Sequence, residues 1–298
     1  MKFKKEKYKE NTAQYILFSV SLLVIFFLFG IIYTLFSESL PALKEIGFER
    51  FFLSKEWYPT YDPPDFGILP LIAGSLYVTA IALVISIPLG LSCALYIHEF
   101  AGRKEKIFLK PFIELISSIP SVVFGFWGTV FLAPFIQKYL DLPSGYCALT
   151  AGIVLGIMSS PIIASLSEDA LNYVPLSFKE ASFALGADKF ETLVHITIPA
   201  AASGIITSII LGAGRIIGET MVVLMLSGGA AVIPRSITEP VRPMTSAIAA
   251  EMGEAAYKTL HYHSLFAIAL TLFFLTFFLN LYAEKAVKKY RFSLGNKR

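Results

Sequence analysis

Six apolar stretches, each long enough to cross a hydrocarbon core, constrain this chain more than any other feature. A membrane-crossing helix takes about 20 residues. The stretches lie at Tyr15–Phe36, Leu69–Ile97, Phe112–Ile136, Cys147–Leu166, Ile198–Leu226 and Leu265–Tyr282. Only 16% of the 298 residues are charged, against about 25% in a soluble domain. Hydrophobic residues make up 55%, and the mean hydropathy is +0.66. The expected fold is therefore an all-α integral membrane protein with six transmembrane helices.

The first stretch follows a basic tail, "MKFKKEKYKE". Its apolar run exceeds the roughly 7–15 residues of a signal-peptide core, and "YTLFSESLP" is a poor cleavage site, so it reads as an uncleaved first span. Lys and Arg then set orientation, because they accumulate in cytoplasmic loops. Taking the N-terminus as cytoplasmic, the inner segments hold Lys2, Lys4, Lys5, Lys7, Lys9, Arg103, Lys104, Lys106, Lys110, Lys179, Lys189 and the basic C-terminal run from Lys285 to Arg298. The outer segments hold only Lys44, Arg50, Lys55, Lys138, Arg235, Arg242 and Lys258. Both termini are expected in the cytoplasm, on a multi-pass protein of the cytoplasmic (inner) membrane.

This places a basic tail at 1–14, the first span at 15–36, an extracytoplasmic loop at 37–68, a five-helix core at 69–286 and a second basic tail at 287–298. Within the core, an inner loop occupies about 175–199 and an outer loop about 228–264. The net charge of +3 is small, and its cations are sorted by side, which argues for lipid and against nucleic acid as a partner. Cys93 and Cys147 fall near opposite ends of their spans, too far apart for a disulfide, and lack metal-type spacing. His261 and His263 have no acidic companion at ligand spacing, so no metal site and no cofactor is expected. Trp57 and Tyr58 suit the membrane surface or a docked partner. No His, Asp or Cys constellation has catalytic spacing. Gly-Lys never occurs, so there is no phosphate-cradling loop and any ATP is hydrolysed by another chain.

The inner loop reads "KEASFALGADKFETLVHITIP". Phe183, Ala187, Phe190 and Val194 recur at helical spacing, which predicts a short amphipathic helix. Arg215 and Glu219, in "LGAGRIIGETMVV", sit inside the fifth apolar run, where a charge costs roughly 2.5–3.5 kcal/mol even on lenient scales. Four residues apart on a helix, they share a face and can pair. Gly212, Gly214 and Gly218 beside them permit close helix approach. Two readings stand: a structural ion pair between helices, or an anion station whose guanidinium is tempered by a tethered carboxylate so that the solute is released. Ser117-Ser118-Ile119-Pro120-Ser121 and Ser159-Ser160-Pro161 admit two readings as well. Either they are proline sites whose freed carbonyls the serines satisfy, or they are broken helices whose positive ends turn toward an anion. The pathway candidates are thus Arg215, Glu219, Ser118, Ser121, Ser159 and Ser160.

Glu180-Ala181-Ser182, then Gly186, then Ile196-Thr197-Ile198-Pro199 resembles the E-A-A…G…I-x-L-P loop of bacterial ABC importer permeases. Ser182 for Ala and Ile198 for Leu are the departures. "FGILPLIAGSLYVTAIALVISIPLGLSCALYIHEFA", "SSIPSVVFGFWG", "GRIIGETMVV" and "MTSAIAAEMGEA" extend the resemblance over most of the chain, to the phosphate-specific permeases of the PstC type. The resemblance implies a type I ABC importer permease fold. It implies a role for Arg215 and Glu219 in transport, and a coupling surface at Glu180, Ala181, Ser182, Phe183, Gly186, Ala187 and Phe190. It further implies a second, PstA-like permease subunit, two copies of an ATPase subunit and an extracytoplasmic phosphate-binding protein. The competing expectations are the same architecture carrying another oxyanion or solute, an ion-coupled secondary transporter with Glu219 as proton carrier, and a membrane-embedded enzyme.

Overall fold

A computed structural model describes the backbone of residues 2–295 and the side chains of 14–282, 284 and 285. Most of the side chains of the basic tails expected at 1–14 and 287–298 lie outside the described residues. Among the described residues six helical stretches are long and apolar enough to cross a membrane: Gln14–Ile46, Leu69–Phe100, Ser121–Tyr139, Ala148–Asn172, Lys189–Ile217 and Leu260–Tyr282.

The chain opens with the long helix α1 (Lys2–Ile46), followed by α2 (Phe48–Leu53) and a two-stranded hairpin, β1 (Trp57–Tyr58) and β2 (Asp65–Phe66). Trp57 pairs with Phe66 and Tyr58 with Asp65 in antiparallel register. Next come α3 (Leu69–Leu95), α4 (Arg103–Ser118), α5 (Ser121–Trp127) and α6 (Ala133–Tyr139). The second half holds α7 (Ala148–Asn172), α8 (Leu176–Ala184), α9 (Lys189–Thr192), α10 (Ile198–Ile217), α11 (Met221–Leu226), α12 (Met244–Glu251) and α13 (Leu260–Gly295). Single π-helical turns at Gly128–Leu132 and Leu193–Thr197 join α5 to α6 and α9 to α10, each just ahead of a proline in the next helix. A proline removes one backbone donor and crowds the preceding turn; a wider turn there keeps each rod continuous. A third π turn, Tyr96–Phe100, ends α3.

α7 is the hub. Over its apolar membrane-spanning stretch 61% of the residues are buried, against 0% for the first span. The α3–α7 contact is close enough that a Cβ on Gly156 would stand 2.8 Å from Ile85 Cβ, so only glycine fits there. Val78, Ala82, Ala151, Val154, Leu155, Met158, Ile216 and Leu226 fill the centre of the bundle. A second apolar cluster at the α12 end joins Phe51, Trp57 and Phe66 to Leu71, Met244, Leu265 and Ile268. A third, at the α8 end, joins Ala94, Leu171, Ala201 and Ile205.

Several boundaries differ from the sequence reading. The third span begins at Ser121 rather than Phe112: Ile119 and Pro120 are extended and end α4. The residue before a proline is pushed out of the helical region, and Ile119 (ψ 129°) obeys that rule. The fifth span stops at Ile217 rather than Leu226. Cys93 and Cys147 are free thiols.

Candidate functional site

Arg215 and Glu219 do not share a helix face, contrary to the expectation from their spacing. α10 ends at Ile217, Gly218 closes it through its N–H to the Gly214 carbonyl (3.2 Å), and α11 starts afresh at Met221. The break separates the charges, and each meets a helix end of matching polarity. Arg215 lies in the last turn of α10, the negative end of its dipole. Glu219 Oε1 accepts from the Met221 N–H (3.1 Å), at the positive end of α11. Thr245 on α12 pins the break by donating to the Glu219 carbonyl (2.8 Å). The structural ion pair is therefore absent. Arg215 is exposed on the isolated chain and has no hydrogen-bond or ion-pair partner among the described residues.

The two serine–proline sites also part ways. α7 runs unbroken through Pro161, and Ser160 Oγ donates to the Ile157 carbonyl (2.9 Å), the acceptor that the proline freed. A broken helix at Ser159–Pro161 is thus ruled out. Ser159 is fully buried, and its hydroxyl has no hydrogen-bond partner among the described residues. At Pro120 the helix does break. Ser118 Oγ turns back onto the Leu115 carbonyl (2.7 Å), and Ser121 starts α5. A Cβ on Gly125 would stand 2.7 Å from Met225 Sδ, which packs α5 directly on α11. The helix that follows the Pro120 break therefore packs on the helix that follows the Gly218 break.

The inner loop is two helices rather than the single amphipathic helix expected. α8 ends at Ala184, Gly186 adopts φ +90°, and Asp188 caps α9 with a reciprocal capping box to Glu191. Left-handed backbone is the reason glycine occupies position 186. Glu180, Ala181, Phe183 and Phe190 face outward, as does Leu185 (90% exposed), and Ala187 is half-buried. Ser182 points inward, and its hydroxyl lies 2.9 Å from that of Thr192, joining α8 to α9. Phe183, Leu185 and Phe190 thus expose apolar side chains together on one loop, a feature that marks interaction sites.

Two polar clusters escaped the sequence reading. At the α12 end, Glu251 collects Trp57 Nε1 (3.1 Å to both oxygens), Arg242 Nη1 (2.6 Å) and His261 Nε2 (2.9 Å). Burial pushes the Glu251 carboxyl up, but the hydrogen bonds from His261 and Trp57 and the Arg242 charge prevail and hold it below the usual carboxylate range. Trp57 is 1% exposed, so it is a buried anchor and not a surface residue. This cluster walls a cleft of about 720 Å³ that Tyr58, Tyr61 and Glu254 also line. His263 turns away to the Glu38 carbonyl (2.8 Å). At the α8 end, Lys110 Nζ bridges Asp169 (2.6 Å) and Glu168 (2.7 Å), whose hydrogen bonds hold its ammonium above the usual lysine range. The acid-in-apolar-helix pattern around Glu168 was the only available signal; nothing in the sequence ties it to Lys110.

Fold and site together define a polytopic α-helical membrane protein of the permease class, with interrupted helices in the bundle and a helix–turn–helix at one end. A family model described as "Binding-protein-dependent transport system inner membrane component" matches residues 86–291. Over 228 residues the chain is 37% identical to a probable ABC transporter permease protein, YqgH, of Bacillus subtilis, covering 76% of this chain and 74% of that one. It is 33% identical over 278 residues to the phosphate transport system permease protein PstC of Mesorhizobium japonicum, covering 87% and 84%. Among solved structures, a bacterial ABC transporter involved in import of the polysaccharide alginate superposes with a TM-score of 0.65 at 14% identity, covering 95% and 98%. The MetNI methionine transporter, in an inward-facing conformation, superposes with a TM-score of 0.56 at 20% identity, covering 75% and 94%. The chain belongs to the binding-protein-dependent transport system inner membrane component family. It has the type I ABC importer permease fold and is a multi-pass inner-membrane permease rather than an enzyme.

Proposed function

We propose that this chain is the PstC-type permease subunit of an ATP-driven importer of inorganic phosphate, and that Arg215 is its anion station. The observation that carries the reading is a lone guanidinium on a membrane-spanning helix, exposed on the single chain and unpaired among the described residues. A charge in that place is costly unless it faces a water-filled path or a partner chain. A guanidinium offers a planar set of donors suited to a tetrahedral oxyanion. Glu219, held on α11 one break away, tempers the local charge without neutralising Arg215 directly. Ser118 and Ser121 flank the Pro120 break between α4 and α5, and Ser159 and Ser160 lie on the neighbouring α7.

In this reading both termini are cytoplasmic and the α8–α9 unit faces the ATPase subunit. Glu180, Ala181, Phe183, Gly186, Ala187 and Phe190 shape that contact, and Ser182 braces it from behind. A PstA-like subunit completes the path, and a phosphate-binding protein delivers the solute at the α12 end. The relatives named for phosphate transport support phosphate over other oxyanions.

Uptake of radiolabelled phosphate tests it in cells whose only importer contains this chain. Arg215→Ala should cut uptake at least tenfold, as loss of about 1.4 kcal/mol or more would, while Arg215→Lys keeps part of it. Unchanged uptake by Arg215→Ala removes Arg215 from the pathway.

A further inference from the structure

α8 is tied to the rest of the molecule by a polar chain that runs sideways into two membrane helices. Lys179, beside Glu180 on α8, donates from Nζ to Glu99 Oε2 at 2.7 Å and lies 2.9 Å from His98 Nε2. The Lys179 and Glu99 side chains are only 14% and 11% exposed. His98 and Glu99 sit in the π turn that ends α3. His98 Nδ1 lies 2.8 Å from Asn172 Oδ1, the last residue of α7, and Asn172 Nδ2 donates to Glu168 Oε1 at 2.6 Å. Lys110 closes the chain on Glu168 and Asp169. With Nδ1–H on His98 every link is a matched donor and acceptor: Lys179 to His98, His98 to Asn172, Asn172 to Glu168.

We propose that Lys179 is a positioning residue that couples α8 to α3 and α7, so that displacement of α8 moves the second and fourth spans as one body. The proposal rests on the reading of α8 as the ATPase-facing element. Two features make this link suited to carrying load. A shielded, short ion pair resists separation far better than an exposed one, because parting it strands a charge away from water. The π turn that receives it is a local widening of the helix, a form frequent at functional sites. Among the described residues, the other side-chain bond from α8, between Ser182 and Thr192, leads to α9.

The test uses the whole assembly, purified through a tag on this chain and reconstituted with phosphate-binding protein, inorganic phosphate and ATP. Phosphate moved per ATP hydrolysed should fall about five- to tenfold in Lys179→Met, the lower part of the range for coupling between sites. Lys179→Arg should keep the ratio, and Lys179→Glu combined with Glu99→Lys should recover it. Glu99→Gln leaves the surface of α8 untouched and should reproduce the loss even if Lys179→Met fails to assemble. An unchanged ratio in Glu99→Gln overturns the proposal. Spin labels at Ala184 and Tyr96 give a second readout that needs no phosphate: their separation should stay fixed between nucleotide-free and vanadate-trapped assemblies. A separation that changes in the unmodified link also overturns it. Wild-type liposomes that move no phosphate while the labels stay fixed overturn the choice of solute and leave the link standing.

Discussion

Replacing Glu251 by Ala removes a carboxylate that holds three elements together: the hairpin through Trp57, the loop before α12 through Arg242, and α13 through His261. The cost follows from what is left behind. The Trp57 indole N–H, on a residue 1% exposed, loses its only acceptor among the described residues, a loss of about 1–3 kcal/mol. Breaking a buried ion pair from one side costs about 3–5 kcal/mol. Arg242, however, is 31% exposed and retains its bond to the Gly229 carbonyl at 2.7 Å, so its share is smaller. With about 1 kcal/mol for that partly exposed pair, the sum is about 2–4 kcal/mol, or about 4–16 °C in melting temperature at about 2–4 °C per kcal/mol.

Thermal unfolding of the purified protein in detergent checks it, with Trp57→Phe as a control that strands no charge and shows a smaller drop. The pH dependence has a definite sign. A carboxyl held below its usual value contributes stability above the unfolded value of about 4.3 and loses it as pH falls through the folded value. The gap between wild type and Glu251→Ala should be constant from neutral pH to about 5 and close below that. No gap at neutral pH, or one that widens in acid, refutes the reasoning.

Gly156→Leu should be rejected by Ile85 across the α3–α7 contact and cost at least about 1–3 kcal/mol, seen as lost expression or early melting. Gly214→Ala, with nothing nearer than Asn280 Oδ1 at 4.0 Å, should be tolerated. At Gly186 a Cβ would meet nothing within 4 Å, so Gly186→Val strains only the backbone, by about 1–3 kcal/mol. Solute uptake should fall while membrane insertion and yield stay normal, with Gly186→Asn milder.

The six spans were legible because a bilayer demands a length and a composition, both visible in a window of 20 residues. The inner loop was legible as a unit by its Glu180–Pro199 spacing, yet its shape was not. Apolar periodicity continued across Gly186, while the left-handed turn there split the helix. The two serine–proline sites look alike in sequence and differ in structure for a reason of context. Pro161 lies in the most buried helix of the bundle, where packing on α3 and α10 and the Ser160 hydroxyl hold the rod intact. Pro120 lies where α4 and α5 are largely exposed, and the chain breaks. Arg215 and Glu219 were found by their cost in lipid, but their pairing was misjudged because Gly218 ends α10 between them. The Glu251 cluster was out of reach: Trp57 and Glu251 stand 194 residues apart, and only the fold brings them together.

On the proposed function, inorganic phosphate crosses the membrane through this chain at the expense of ATP hydrolysed by its partners. The purified assembly in liposomes, supplied with ATP on the α8 side and phosphate-binding protein on the α12 side, decides it. Radiolabelled phosphate should accumulate only with ATP present, and excess sulfate or molybdate should leave that accumulation intact. Accumulation of sulfate or molybdate in place of phosphate, or phosphate accumulation that continues without ATP, would contradict the account.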